Sequence, residues 1–167
     1  MSRCLPLWGG IGAGGFAVVI YHPHRKVDSE AWVSDAVDSG KLVAACKKAR
    51  PDRQRGPWHI ICDNEGFLKK SAPAHRRVNV ELWHIPPRSP DLNPVEKFWS
   101  RLRRRLRSLD LADLLAGRAP VGKTELKARI RNLAGTEECK RVAHNCVKGL
   151  RQVCLEVRRK RGGASRG

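Results

Sequence analysis

The sequence is short of acid and of aromatic residues: 16 Asp and Glu stand against 34 Lys and Arg, and Trp, Phe and Tyr together make up 5% of 167 residues. Long apolar runs are absent as well. The N-terminal apolar stretch is broken by Gly9, Gly10 and Gly12, so it resembles neither a secretory signal nor a membrane-spanning helix. No CxxC pair occurs among Cys4, Cys46, Cys62, Cys139, Cys146 and Cys154. Neither they nor His22, His24, His59, His84 and His144 show ligand spacing. The cysteines therefore read as small buried hydrophobes of a reducing, intracellular compartment.

The shortage of acid leaves a formal net charge of +18 and a pI near 10.6. Such a charge opposes compaction, and a polyanion, most commonly nucleic acid, is the partner that neutralises it. A membrane surface is the weaker alternative, because no basic segment also carries a long apolar face. With 41% hydrophobic residues the chain still has enough for one modest core, and its length suits one domain with a helical extension.

Leu5 to Ile11 and Phe16 to Tyr21, separated by Gly12, Gly14 and Gly15, read as a β-hairpin. A helix capped by Asp28 or Ser29 follows, with Gly40 interrupting it. Trp58 to Cys62 and Val80 to Ile85 read as two more strands, joined by a basic stretch, Lys69 to Arg77, too short for a long helix. From Val95 the period becomes that of an amphipathic helix, with Phe98, Trp99, Leu102, Leu106 and Leu109 on one face. Two further helices are expected at about Glu125 to Leu133 and Glu138 to Arg158, and then a basic, Gly-rich tail that should be disordered.

Two carboxylates stand out. Asp63 follows the apolar run Trp58-His59-Ile60-Ile61-Cys62, where a short buried strand ends. Glu96 closes the segment Pro86-Pro87-Arg88-Ser89-Pro90-Asp91-Leu92-Asn93-Pro94-Val95-Glu96-Lys97-Phe98-Trp99, where proline-stiffened turns lead into a basic helix. Asn93 is placed as its N-cap and Pro94 at its favoured first position. Carboxylates brought together from a strand end and a helix start are able to hold a divalent metal. Taken singly, each has a plainer reading: Asp63 as a turn aspartate, Glu96 as an acid favoured by the helix dipole. Lys97, Arg101, Arg103, Arg104, Arg105 and Arg107 form a basic face with no acid among them. It reads as a phosphate-contact surface, with a merely solvated face as the alternative.

The Cys62-Asp63-Asn64 strand end followed by the Pro86 to Trp99 segment resembles the mariner-like superfamily of DDE transposases, over roughly residues 5 to 110. Leu7-Trp8-Gly9-Gly10-Ile11 is similar to strand sequence of the same catalytic domain. The resemblance implies a ribonuclease H-like α/β fold, a mixed sheet flanked by helices, with magnesium or manganese as cofactor. DNA strand cleavage and joining is the ancestral chemistry it implies, with Asp63 and Glu96 as the second and third metal-binding carboxylates. The first carboxylate and its central strand have no counterpart, since no Asp or Glu precedes Asp28. Glu65-Gly66-Phe67-Leu68 also replaces the small residue and histidine common after the aspartate.

The expected organisation is an incomplete catalytic region over residues 1–110, a helical extension over 111–157 and a basic tail over 158–167. The expected protein is a transposase-like, nuclear or otherwise intracellular DNA binder, a degenerate copy with little strand-transfer activity and a possible homo-oligomer. A non-catalytic nucleic-acid-binding module is the second reading, and a basic structural protein the third.

Overall fold

The computed structural model describes residues 5–22 and 26–160. Strands β1 (Leu7–Ile11) and β2 (Ala17–Tyr21) form the expected antiparallel hairpin, with Leu7 opposite Tyr21 and Ile11 opposite Ala17. Gly15 turns the chain at φ 74°, in the left-handed region that favours glycine. Helix α1 (Ser29–Trp32) is opened by the Asp28 carboxylate, which accepts the Ala31 N–H at 2.9 Å. It runs on as a π-helical turn over Val33–Asp38, stops at Gly40 with φ 74°, and gives way to α2 (Lys41–Ala49).

Strands β3 (Trp58–Cys62) and β4 (Val80–His84) are parallel, Trp58 facing Val80 and Cys62 facing His84. A parallel pair needs a crossover between its strands. The basic stretch supplies it as two short helices, α3 (Gly66–Lys70) and α4 (Ala72–Arg77). Three long helices complete the chain: α5 (Pro94–Leu115), α6 (Lys123–Gly135) and α7 (Glu137–Arg159). Helix α5 runs on past Leu109 because Leu111, Ala112 and Leu114 sustain helix, and Gly117, at φ 69°, follows its end.

The interior has two main parts. Trp32, Val37, Leu42, Leu68 and Val80 are buried beneath the parallel pair; truncating a fully buried tryptophan such as Trp32 to alanine costs on the order of 3–5 kcal/mol. Phe98 and Leu102 of α5 pack with Ile130 and Ala134 of α6, Ala143 of α7 and Ala17 of β2. Trp8 on β1 packs against the first of these, its ring 5.5 Å from that of Trp32.

The architecture is the mixed α/β, ribonuclease H-like class expected, but its strands form two separate pairs rather than one continuous sheet. Among the described residues β1 pairs only with β2 and β3 only with β4. The uniformly buried cysteines need correcting too. Cys46 and Cys62 are buried, Cys139 and Cys146 half-buried, and Cys154 is exposed on α7. Cys4, His24 and the tail beyond Lys160 lie outside the described residues. No described helix is long and apolar enough to cross a membrane.

Candidate metal site and nucleic-acid interface

Asp63 follows the last residue of β3, at the carboxyl end of the parallel pair, where α/β sheets commonly place ligand-binding groups. Two side chains tie its turn to the end of β4. His84 Nδ1 lies 2.9 Å from the Asp63 carbonyl oxygen, and the Asn64 carboxamide donates to the Ile85 carbonyl. The Asp63 residue itself is exposed.

The proline segment leaves β4, forms one short turn over Pro90–Leu92, and enters α5 at Pro94. Proline suits this first helical position because its missing N–H has no helical partner to lose. Glu96 is exposed in the first turn, where the helix dipole favours the ionised carboxylate. Asn93 has the extended backbone of an N-cap, at φ −105° and ψ 95°, yet its side chain makes no capping hydrogen bond. The physical reason is local: the Glu96 N–H, which a capping side chain would take, is bonded at 3.1 Å to the Asn93 backbone carbonyl.

Asp63, Asn93 and Glu96 line one cleft of about 600 Å³, whose walls include all of β1 and β3. Neither carboxylate forms an ion pair among the described residues, although the chain has 34 basic side chains to offer. Carboxylate oxygens without a protein cation are the donors a hard divalent ion takes. Glu65 reaches the same cleft, but no group of three or more His, Cys, Asp or Glu able to hold a metal occurs among the described residues.

Immediately beyond Glu96 the solvent side of α5 carries Lys97, Arg101, Arg103, Arg104, Arg105 and Arg107, all exposed and none ion-paired among the described residues. The apolar side, Phe98 and Leu102, is what anchors the helix. After Glu96 the acids of α5 come only in its last turns, where Asp113 is held by Arg118 at 2.8 Å and by Arg129 at 2.5 Å. These two guanidiniums keep the Asp113 carboxyl below its ordinary pKa.

Residues 18–114, more than half of the chain, match the family of DDE superfamily endonucleases. The chain belongs to that family. The DDE domain is also 36% identical, over 61 residues, to the transposable element Tc1 transposase of Caenorhabditis elegans; the aligned stretch is 30% of this chain and 22% of that relative. The DDE domain thus spans well under two thirds of the length of the curated relative it matches. No solved structure matches it.

Sequence reasoning placed Asp63 and Glu96 in the DDE domain but missed what holds them. His84 acts on a backbone carbonyl 21 positions away, a contact with no sequence signature. Asn64 was visible beside Asp63, although its role in bridging to Ile85 was not.

Proposed function

We propose that this chain is a transposase-derived DNA-binding domain that retains Asp63 and Glu96 as ligands of a magnesium or manganese ion and has little strand-transfer activity. The observation that carries the reading is the run of six basic side chains on α5, beginning one residue past Glu96, that are exposed and without an ion pair among the described residues. Phosphates are the natural counter-charge for such a face, and contacts confined to phosphates bring little sequence preference. A cation bound at the carboxylates would polarise a phosphate ester or lower the pKa of a water. Asp63 and Glu96 would orient it, while Lys97 and the arginines would hold the DNA strand alongside.

Low activity follows from the donor count. Two-metal phosphoryl chemistry distributes its ions over several carboxylates, and the described residues gather no set of three. The basic run that begins at Arg158 suits a nuclear address for such a protein.

The test is DNA binding by the whole chain at low salt, with plasmid nicking followed in magnesium or manganese. Binding that is steeply salt-dependent, indifferent to sequence and accompanied by no nicking is the expected result. Nicking abolished by Asp63→Ala and by Glu96→Ala would replace this reading with an active nuclease. Failure to bind DNA at low salt would leave a basic structural protein.

A further inference from the structure

We infer that the cleft between β1 and β3 is a receptor for one extended, uncharged strand of another polypeptide, which pairs with both strands and joins the two strand pairs into one sheet. Hydrogen bonds show which main-chain groups face it. On β1 the Pro6 carbonyl accepts the His22 N–H and the Gly12 N–H donates to the Phe16 carbonyl, each at 3.1 Å. An antiparallel ladder alternates, so Leu7, Gly9 and Ile11 turn their main-chain groups away from β2. On β3 the Trp58 N–H donates to the Asn79 carbonyl at 3.0 Å and the Cys62 carbonyl accepts the Ile85 N–H at 2.9 Å, both on the β4 side. His59 and Ile61, one step out of phase, turn theirs away from β4. Among the described residues none of these main chains has a partner strand at its free edge, and such an edge is a ready template for another strand.

Both free edges open on the same cleft of about 600 Å³. Every residue of β1 and of β3 lines it, whereas β2 contributes only Val18 and β4 nothing. A strand met face-on shows alternate residues; consecutive ones are met along an edge. The cleft is also covered on both faces. Leu7 and Ile11 pack with Phe98 and Leu102 of α5, while Trp8 packs with Trp32 and Leu42 on the side of α1 and α2. Successive residues of β1 thus face opposite layers, and both layers reach the cleft, Cys46 and Ala49 from α2, Trp99 from α5 and Leu150 from α7.

These walls define the occupant. A strand covered on both faces is apolar on both, and a charge there would be buried without a partner. Its length matches the five residues of β1 and of β3. The two free edges require donors and acceptors along both sides of the occupant, which an extended peptide carries. A folded copy of this chain does not fit, because each described strand is already paired and the covering helices admit a single chain.

The experiment adds a short synthetic peptide, with a Thr-Val-Ile-Val-Thr centre and Gly-Ser ends, to the whole chain and follows calorimetry and amide hydrogen exchange. The peptide is expected to bind saturably and to slow exchange at Leu7, Gly9, Ile11, His59 and Ile61. Trp8 and Ile60, already bonded within their pairs, should change little. The same peptide N-methylated at alternate residues keeps its side chains but loses the donors for one edge, and should bind roughly tenfold or more weaker. Ile61→Pro should weaken binding of the unmethylated peptide as well, because it removes a donor on the free edge and spares the pairing with β4. The methylated peptide tests the same point on the unaltered chain.

Equal affinity for the two peptides would make the cleft an apolar trap rather than a strand receptor, and no binding by the wild-type chain would remove the receptor altogether. Slow exchange at the same amides before any peptide is added would mean that the chain fills the cleft itself, or that a second copy does where the protection rises with protein concentration. Each of these results overturns the inference.

Discussion

The indole of Trp99 lies across the backbone of Gly9, so closely that a Cβ built on Gly9 would overlap the ring. The contact joins the first turns of α5, which carry Glu96, to the centre of β1. It explains why the strand has glycine at this point: only a missing side chain lets the helix approach. Gly9→Ala should therefore destabilise the protein by about 1–3 kcal/mol, the usual cost of overfilling a packed site. Urea unfolding measures it, and Gly66→Ala, where a Cβ meets nothing within 4 Å, is the control expected to change little.

The basic face of α5 makes a quantitative prediction. Each phosphate neutralised adds about 0.9 to the magnitude of the slope of log affinity against log salt. Replacing Arg101, Arg104 and Arg105 together by Gln should reduce that magnitude by roughly 2–3 and weaken binding to all sequences alike. Fluorescence anisotropy across a salt series is the measurement.

His75 makes stability depend on pH. It is buried, and its Nε2 accepts the Trp32 Nε1–H at 2.8 Å. Burial, reinforced by the nearby charge of His84, holds its pKa below 6.5. Protonating Nε2 would set one donor against another. The folded protein thus takes up a proton less readily than the unfolded chain, so this contribution is complete above pH 6.5 and lost as the pH falls from there towards the folded pKa. The urea midpoint should decline as the pH falls through and below 6.5, and this part of the decline should vanish in His75→Gln.

Asp113 behaves in the opposite chemical sense with the same direction in pH. Arg129 and Arg118 lower its pKa from 3.8, so its contribution is present above that value and lost as the pH falls through the folded pKa. Asp113→Asn should loosen the junction of α5 and α6 and lower the thermal midpoint more than Asp110→Asn. Asp110 is 55% exposed and meets Arg129 only at 3.5 Å, the kind of pair that contributes little.

The thiols offer a check on the fold itself. Burial raises the pKa of Cys46 and of Cys62 to about 11, while Cys154 is exposed. Reaction with a thiol reagent near pH 8, in a Cys4→Ser background, should modify Cys154 first and leave Cys46 and Cys62 protected until the protein unfolds. Peptide mapping of the labelled protein distinguishes the order.

Much of this was legible from local pattern. The hairpin followed from two apolar runs around glycines, α5 from the spacing of Phe98, Leu102 and Leu106, and the first helix's cap from Asp28 and Ser29, of which the structure uses Asp28. Asp63 and Glu96 were visible because each sits at a boundary that the sequence marks, an apolar run's end and a proline-guided helix start. The unused cap at Asn93 was not legible. Its geometry depends on which group the Glu96 N–H meets, and cap statistics favour asparagine whether or not its side chain takes part. The division into two strand pairs was not legible either, since hydrophobic period identifies strands but says nothing of which edges meet.

The sequence by itself determined the elements, the charge and the two candidate carboxylates, because these depend on neighbours within a few positions along the chain. Only the tertiary structure decided that Asp63, Asn93 and Glu96 share one cleft, that His84 holds the Asp63 turn, and that Trp99 rests on Gly9. Those relationships join residues far apart in sequence, and close packing of side chains, which no local pattern encodes, is what fixes them.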